Sequence, residues 1–423
     1  MRNLYSILLY LLTPLVLLRL VWRGLRAPAY WQRWGERFGY IPDAEGADPI
    51  WVHAVSVGEV QAAVPLLRAL IKRYPDVPLL VTTTTPTGSE QVRNLFEARV
   101  QHVYMPYDLP DAMRRFLTRA RPRLALIMET EIWPNLYHAC VKRGVPVLLV
   151  NARLSARSAA GYRRVHRLTA STLSCLHSIA AQGRTDADHL VELGAPPERV
   201  KVTGSIKFDM QIPASLTERA AVLRRDWGMQ RPVWIAASTH EGEDEMILDA
   251  HRSIRARFPS ALLILVPRHP ERFARVAALC REQNWNTVLR SEQVSTPAEA
   301  AVFVGDSMGE LLLFFAATDV AFIGGSLVPH GGHNPLEASA QRIPVLFGPH
   351  MFNFALIAQL LLEAGAAREV GDSGQLADSV VHWLADPALR NTAGERGAAV
   401  VEANKGAREA VLAMVEEALK GKA

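Results

Sequence analysis

The sequence predicts an α/β protein with two doubly wound domains, each a parallel sheet covered by helices on both faces, behind an apolar N-terminal helix. From Pro49 onward, short apolar runs alternate with amphipathic helical stretches, a pattern typical of βαβ units. The alternation lapses between Asp209 and Ala221 and restarts at Pro232. The length of 423 residues is also too great for one ordinary core.

The first 26 residues differ in composition from the rest of the chain. Residues 3–18 carry no charge, and three arginines follow before residue 27. The pattern predicts a membrane anchor helix at residues 1–26, with the domains behind it in the cytoplasm because basic flanks stay on that side. The apolar run is at the short end of what can span a bilayer, and its length leaves open the alternative of a helix lying in the membrane interface. A cleaved signal peptide is disfavoured because the arginines separate the run from the small-residue site at 27–29.

Strand candidates define the domains that follow the anchor. In the first domain, predicted at residues 27–215, they are Ile50–Val55, Leu79–Thr84, His102–Pro106, Leu124–Met128, Val145–Val150, Ser178–Ala181 and Val200–Thr203. In the second, predicted at residues 216–386, they are Val233–Ala237, Ala261–Val266, Val288–Arg290, Ala301–Val304, Val320–Ile323 and Pro344–Phe347. Residues 387–423 are predicted to form a polar helical segment.

Composition narrows the classes of function. With 49% apolar and 21% charged residues, the chain is expected to fold rather than to stay disordered. Its net charge of +5 fits nucleic acid, an anionic membrane surface or an anionic substrate. The three cysteines, Cys140, Cys175 and Cys280, are far apart and show neither disulfide nor zinc spacing.

The glycine-rich segment Phe322–Ala338 is the most informative stretch. An apolar strand leads into a loop with four glycines and then into a helix start at Asn334-Pro335. Backbone amides and the positive end of a helix dipole would meet there, which suits a phosphate. A capping box between Asn334 and Glu337 would explain the same residues without a ligand.

Three turns repeat the pattern Ser-x-x-Glu directly after an apolar strand, ending at Glu59, Glu241 and Glu310. Each is compatible with a capping box, but each also lies at a strand carboxyl end, where α/β folds bind ligands. Glu59 is the predicted general base, because a carboxylate at this turn can take a proton from an attacking hydroxyl. Glu129 and Glu131 end another strand and are predicted to belong to the same site.

Cationic side chains follow other strands. Arg268, in Pro267-Arg-His-Pro270, is predicted to clamp a phosphate or a carboxylate. Lys207 ends the last strand of the first domain and is predicted to face the cleft. Asp186 and Asp188 match the metal-binding pair of some sugar transferases, although acids at a helix start have a simpler explanation in the helix dipole.

Seven segments carry a family resemblance, in order along the chain. They are His53–Val60, Glu129–Asn135, Asn151–Ser155, Thr203–Asp209, Pro267–Pro270, Gly305–Glu310 and the loop at 324–337. Together they resemble the motifs of the 3-deoxy-D-manno-octulosonic acid (Kdo) transferases of Gram-negative bacteria. The resemblance implies the GT-B fold and inverting, metal-independent transfer of Kdo from CMP-Kdo to lipid IVA at the cytoplasmic face of the inner membrane. It implies no cofactor and no nucleic-acid partner.

The resemblance also implies roles for residues. Glu59 would be the base, and Glu129 or Glu131 with Lys207 would complete the catalytic site. The predicted CMP-Kdo site comprises Arg268, His269, Gly305, Ser307, Met308, Gly309, Ser326, Gly331, Gly332, Asn334 and Glu337. In this site Arg268, the amides around Ser326 and the helix starting at Asn334 would hold the phosphate, and Glu337 would accept from the ribose hydroxyls.

Two other functions fit the same residues. One is a related enzyme that transfers a sugar from a UDP-sugar to a lipid, which competition between CMP and UDP would distinguish. The other is a membrane-tethered protein that binds nucleotide or lipid without catalysis, in which substitution of Glu59 would leave function intact.

Overall fold

The computed structural model describes residues 1–43, 48–210 and 212–421. The chain divides into two compact units, which we call the N-terminal unit (Met1–Asp209 with Lys405–Ala423) and the C-terminal unit (Met210–Asn404). The division after Asp209 lies six residues before the predicted boundary at 215. The predicted segment 387–423 is divided at residue 404 between the two units instead of standing apart.

In the N-terminal unit, the described residues form a seven-stranded parallel sheet with the order β3-β2-β1-β4-β5-β6-β7. Its strands are β1 Ile50–His53, β2 Leu79–Thr83, β3 Gln101–Tyr104, β4 Leu124–Met128, β5 Val147–Ala152, β6 Ser178–Ala181 and β7 Val200–Val202. The helices of this part of the chain are α1 Arg2–Arg26, α2 Val57–Arg73, α3 Pro86–Phe96, α4 Pro110–Ala120, α5 Pro134–Lys142, α6 Ala156–Arg163, α7 His166–Leu173 and α8 Arg184–Glu192.

Alternation along the strands divides the apolar side chains between two cores. Ile50 and Val52 of β1 belong to a cluster with residues of α2 and α3, whereas Trp51 belongs to a cluster with residues of α4 and α5. Because successive strand residues point to opposite faces, a continuous apolar run covers both. All four residues of β1 are buried, as this doubly covered position requires.

The C-terminal unit repeats the design with the strand order β10-β11-β9-β8-β12-β13-β14, all pairs parallel. Its strands are β8 Val233–Thr239, β9 Leu262–Pro267, β10 Thr287–Leu289, β11 Val302–Val304, β12 Val320–Ile323, β13 Val345–Phe347 and β14 Ala367–Glu369. Its helices are α9 Leu216–Trp227, α10 Asp244–Arg257, α11 Phe273–Glu282, α12 Leu311–Ala316, α13 Leu336–Ser339, α14 Ala355–Glu363, α15 Ser373–Ala385 and α16 Pro387–Ala403.

The last helix, α17 Ala407–Lys420, belongs to the N-terminal unit. Val411 and Val415 are fully buried in the same apolar cluster as α2 and the strands. Asp209 accepts hydrogen bonds from the amides of Gly406 (2.8 Å) and Arg408 (2.6 Å). A carboxylate at a helix N-terminus satisfies otherwise unpaired donors, so Asp209 fixes where α17 begins.

The predicted fold class of two parallel α/β units is confirmed. Every predicted strand overlaps an observed one, but the sequence missed β14. This edge strand has only three residues, and Arg368 and Glu369 are exposed. It therefore lacks the apolar run by which the other strands were recognised.

Helix α1 is the helix among the described residues that is long and apolar enough to cross a membrane, at residues Arg2–Leu25. Length and composition support this candidate, and 6% of the apolar window is buried. Its exposed side chains include Leu4, Leu8, Leu11, Leu15 and Leu18. A continuous apolar surface of this kind is typical of contact with lipid or with another protein.

Candidate active site

Glu59 lies in the first turn of α2, directly after β1. Its Oε2 atom accepts a hydrogen bond from the backbone N–H of Val55, 2.8 Å away. Ser56, the residue before the helix, makes no side-chain capping bond. The predicted capping box is therefore absent at this turn, and the carboxylate closes a short loop between strand and helix instead.

Glu129 and Lys207 form an ion pair beside this turn. Lys207 Nζ lies 3.4 Å from Glu129 Oε1, and both side chains are less than one-fifth exposed. Glu129 directly follows β4 and has a φ angle of 56°. Non-glycine residues rarely adopt this left-handed conformation, and it is often held at functional sites.

Glu131 is held from another direction. Its Oε2 atom accepts from the indole N–H of Trp133, 2.5 Å away. The Trp133 ring in turn packs edge-on against the ring of His53, with the centroids 5.7 Å apart. Burial raises the pKa of Glu131, and the neighbouring charge of Glu129 raises it further.

The structure brings the four predicted catalytic residues together. Burial raises the pKa of Glu59 to about 8, and the charges of Glu129 and Glu131 also raise it, whereas the Val55 N–H bond and Lys207 lower it. A carboxyl with a pKa near neutral pH is suited to accept and release a proton. This cluster can therefore act as a general base at the carboxyl edge of the sheet.

Asn151 also belongs to this site, although it was not predicted as a site residue. Its side chain is fully buried, and its Oδ1 atom accepts from Ser205 Oγ (3.2 Å) and from the amide of Ile206 (3.1 Å). Asn151 therefore holds the turn that carries Lys207. The sequence feature that could have identified Asn151 is its place as the first residue of the motif Asn151–Ser155.

A buried carboxylate organises the glycine-rich loop of the C-terminal unit. Glu243 is fully buried and accepts hydrogen bonds from the backbone amides of Gly325 (2.7 Å), Ser326 (3.0 Å), Leu327 (3.0 Å) and His240 (2.9 Å). The loop thus gathers amides around one anion, as expected for such a turn. The anion is a side chain of the protein itself.

This arrangement corrects the predicted role of Ser326. Its amide bonds to Glu243, and its hydroxyl, which is fully buried, donates to Ile323 O and accepts from Gly348 N. These groups stabilise the loop and are not presented to a phosphate. Glu243 was not predicted as a site residue because it lies two residues beyond the Ser238-x-x-Glu241 pattern. Glu241 itself is exposed and pairs with Arg275.

The helix predicted to start at Asn334 is α13, which has only four residues. Asn334 Oδ1 accepts from the amide of Leu336 (3.1 Å), and Asn334 Nδ2 donates to Glu337 Oε1 (3.4 Å). So short a helix has little dipole to offer a phosphate. Burial raises the pKa of Glu337, while the bond from Asn334 and the charge of Arg268 lower it.

Arg268 is placed next to Glu337 and beside a cluster of histidines. His240 Nε2 and His333 Nε2 are 2.8 Å apart, and the rings of His240 and His330 stack with centroids 4.2 Å apart. Burial lowers the pKa of His240 to about 4 and that of His333 to about 3, and Arg268 contributes to both shifts. These two rings are therefore neutral near pH 7.

Close packing explains the glycines of this loop. A Cβ atom at position 325 would lie 3.2 Å from both His240 and His333. The φ angle of Gly325 is 68°. Gly331 and Gly332 also have positive φ, at 93° and 72°. Glycine is the residue that reaches these angles without strain. His269, at the end of the Arg268 turn, is exposed and packs edge-on against His240.

The turn Gly305–Gly309 lies at the end of β11. Ser307 Oγ donates to Glu310 Oε2 (2.6 Å), and Arg290 binds the same carboxylate through Nε and Nη2. Met308 is largely exposed, and Gly309 has a φ angle of 82°. The Ser307 hydroxyl is therefore engaged by Glu310, whereas Met308 and Gly309 form an open tip.

The aspartates of the possible metal pair have other partners. Asp186 Oδ1 accepts from the amide of Leu154 (2.7 Å), and Asp188 pairs with Arg184 (3.1 Å). The described part of the chain contains no group of three or more His, Cys, Asp or Glu side chains placed to hold a metal ion.

Comparison with known proteins gives close relatives. The profile of a family described as 3-Deoxy-D-manno-octulosonic-acid transferase (kdotransferase) matches residues 32–210. A 3-deoxy-D-manno-octulosonic acid transferase of Haemophilus influenzae is 42% identical, and the alignment covers 99% of each chain. A protein of the same description from Bordetella pertussis is 39% identical over 98% of this chain and 99% of its own.

Solved structures of other proteins share the architecture. UDP-GlcNAc 2-epimerase from Neisseria meningitidis matches 87% of this chain and 100% of its own with a TM-score of 0.58 at 12% identity. A glycosyltransferase from Rickettsia africae matches 88% of this chain and 99% of its own with a TM-score of 0.57 at 13% identity. At these identities the likeness shows the GT-B-like fold alone.

Proposed function

This chain belongs to the 3-deoxy-D-manno-octulosonic acid transferase family, and we propose that it transfers Kdo from CMP-Kdo to lipid IVA with inversion and without a metal ion. The chain is thus a Kdo transferase of lipopolysaccharide biosynthesis. The observation that carries the proposed mechanism is the cluster of Glu59, Glu129, Glu131 and Lys207.

In the proposed reaction, the Glu59 carboxylate takes the proton of the acceptor hydroxyl as that oxygen attacks the anomeric carbon of Kdo. The bond to the CMP phosphate breaks on the opposite face, which inverts the configuration. Lys207, paired with Glu129, favours the ionised form of Glu59 before attack. The ion pair therefore tunes the base without needing to contact the sugar.

The leaving CMP carries growing negative charge, which needs fixed positive charge or donors. In the C-terminal unit Arg268 is the predicted cation, and the neutral histidines beside it can donate or accept hydrogen bonds. Glu337 is proposed to accept from the ribose hydroxyls. A guanidinium binds a phosphate through two parallel hydrogen bonds, so Arg268 can perform this role without a metal.

The test is transfer from freshly prepared CMP-Kdo to lipid IVA by the detergent-solubilised protein in the presence of EDTA. We expect product of increased mass, with activity unchanged when the chelator is added. CMP should inhibit competitively, and UDP should not. Activity only after a divalent metal is restored would contradict metal independence, and stronger inhibition by UDP would favour a UDP-sugar donor.

We also propose that α1 lies in the interface of the inner membrane at its cytoplasmic face, instead of spanning the bilayer. Tyr5 OH donates to Asp108 (3.0 Å), Ser6 Oγ donates to Asn135 (3.0 Å), and Tyr10 OH donates to Asp111 (2.5 Å). A spanning helix with cytoplasmic arginines at its end would carry Tyr5 roughly 30 Å away to the other side. These three contacts support a helix held along the N-terminal unit.

We therefore expect an N-terminal tag followed by a protease site to be cleaved in inverted membrane vesicles and protected in spheroplasts. A periplasmic reporter protein with the same tag and protease site at its N-terminus would serve as the control for protease access. Cleavage of the tag in spheroplasts would show that α1 spans the membrane.

A further inference from the structure

Arg37 is a buried cation with unused donors. Its side chain is 4% exposed, and Nη1 donates to the carbonyl oxygen of Thr84 at 3.0 Å. Its Nε and Nη2 atoms are buried without a hydrogen-bond partner among the residues that the structure describes. Leaving donors of a buried charge unpaired is costly. Such a group is expected to gain a hydrogen-bond acceptor from a molecule that binds during function.

Arg33, a neighbouring arginine, makes hydrogen bonds of the kind that Arg37 lacks. Arg33 and Arg37 both lie over the ring of Tyr104, 4.7 Å and 4.3 Å from its centroid. Arg33 binds Glu36 (2.7 Å) and the carbonyl of His102 (2.8 Å). The second oxygen of Glu36 accepts from the amide of Tyr104. Glu36 is thus already engaged by these two groups.

The two unpaired atoms of Arg37 have a defined shape. Nε and Nη2 form one edge of the guanidinium, and Arg290 uses the same edge to bind both oxygens of Glu310 at 2.9 and 2.8 Å. This fork matches two oxygens of a single carboxylate or phosphate. The missing partner of Arg37 is therefore expected to be an oxyanion rather than a single neutral acceptor.

Hydrogen bonds connect Arg37 to the catalytic turn. Thr84, whose carbonyl accepts from Arg37, donates to Val55 O through both its amide and its hydroxyl, at 3.0 Å each. Val55 in turn donates to Glu59. Arg37 therefore lies on the same edge of the sheet as Glu59, and hydrogen bonds through Thr84 and Val55 connect the two residues.

Hydrogen bonds also connect Arg37 to the apolar helix. The carbonyl of Arg37 accepts from the amide of Tyr107, and the next residue, Asp108, accepts from Tyr5 of α1. Burial raises the pKa of Tyr107, while Arg37 lowers it together with Arg19 and Arg23 of α1. Three positive charges, two of them on α1, thus act on one phenol.

We propose that Arg37 binds a phosphate group carried by a lipid molecule, between α1 and the turn of Glu59. The proposal rests on the proposed function, in which a lipid acceptor must reach Glu59 from the membrane. The phosphate belongs either to the acceptor itself or to a phospholipid beside it. In both cases Arg37 orients a lipid and does not contact the reacting atoms.

The test compares Arg37→Met with Arg33→Met in the full-length protein. For Arg37→Met we expect KM for the lipid acceptor to rise roughly 10- to 100-fold, the range for losing a charge-assisted bidentate contact. The values of kcat and of KM for CMP-Kdo should change little. Arg33→Met should instead lower the melting temperature, because it removes the cation that pairs with the buried Glu36 carboxylate, whereas Arg37→Met should not lower it without ligand.

Vesicle flotation separates the two sources of phosphate. The variant and the wild type are floated with phosphatidylcholine vesicles, with and without phosphatidic acid. A loss of binding confined to phosphatidic acid identifies a phospholipid headgroup. Unchanged flotation with a raised KM for the acceptor identifies the phosphate of the acceptor.

Arg37→Met that matches the wild type in both assays, or that unfolds as Arg33→Met does, would overturn the inference. If the wild type showed no transfer at all, the proposed function would fail. Flotation would then still test the phosphate site, because it requires no turnover.

Discussion

Replacing Glu59 with Gln is expected to lower kcat for Kdo transfer by about 10²- to 10⁴-fold, the usual contribution of a general base. The amide keeps the size of the side chain and can still accept from Val55 N–H, but it cannot take a proton. The measurement is single-turnover transfer at saturating CMP-Kdo and acceptor. Transfer at the wild-type rate would remove Glu59 as the base.

The same residue sets the expected pH dependence. Because burial raises the pKa of Glu59 to about 8, the active carboxylate form accumulates only as pH rises through that value. We therefore expect kcat/KM to increase with pH up to about 8 and then to level off. Glu129→Gln should move this limb to lower pH, since it removes a charge that raises the pKa of Glu59, and Lys207→Met should move it to higher pH.

Stability gives an independent check on this assignment. A carboxyl whose folded pKa lies above its unfolded value binds more protons in the folded state, so its contribution to stability falls as pH rises from about 4.5 to about 8. The Glu59→Gln variant has no carboxyl to ionise at this position, so it does not lose this stability as pH rises. At pH 8 or above the variant should therefore melt at or above the temperature of the wild type, and a lower value would indicate a structural role.

Replacing Glu243 with Ala is expected to unfold the glycine-rich loop and to destabilise the C-terminal unit by several kcal/mol. Four backbone amides bond to this fully buried carboxylate. Each buried donor left unpaired costs about 1–3 kcal/mol, although the losses do not add fully. Thermal unfolding and hydrogen exchange of the amides at 325–327 would measure the effect.

Glu241 provides the matched control for this prediction. It lies two residues earlier, is mostly exposed and pairs with Arg275 at 2.9 Å. An exposed ion pair contributes about 0–1 kcal/mol, so Glu241→Ala should leave the loop amides protected. Equal loss of protection in both variants would show that Glu243 does not organise the loop.

Much of the site in the N-terminal unit could be predicted because each residue lies a few positions after the end of a strand. Glu59, Glu129, Glu131 and Lys207 were all recognised in this way, and the parallel sheet brings strand carboxyl ends to one edge. Asn151 was missed because its role depends on a turn more than fifty residues away, at Ser205 and Ile206. Side-chain bonds of such long range leave no periodic pattern in the sequence.

The glycine-rich loop shows the opposite case. Its residues correctly indicate a turn that gathers backbone amides around an anion, but the same pattern fits a phosphate and a carboxylate equally well. The structure assigns that place to Glu243, which excludes the Ser326 amide from the predicted phosphate contact. Arg37 is similar, since a buried arginine with two unpaired nitrogens cannot be told from a surface arginine in the sequence.

The sequence by itself determined the alternation of strands and helices, the apolar N-terminal helix and the motifs of the family, because these depend on local periodicity and residue type. Only the tertiary structure decided that α17 returns to the N-terminal unit, that α1 bonds to Asp108, and which donors remain without a partner. Burial and hydrogen bonding between distant residues determine these features. They depend on where the chain places each group in space, which local sequence patterns do not record.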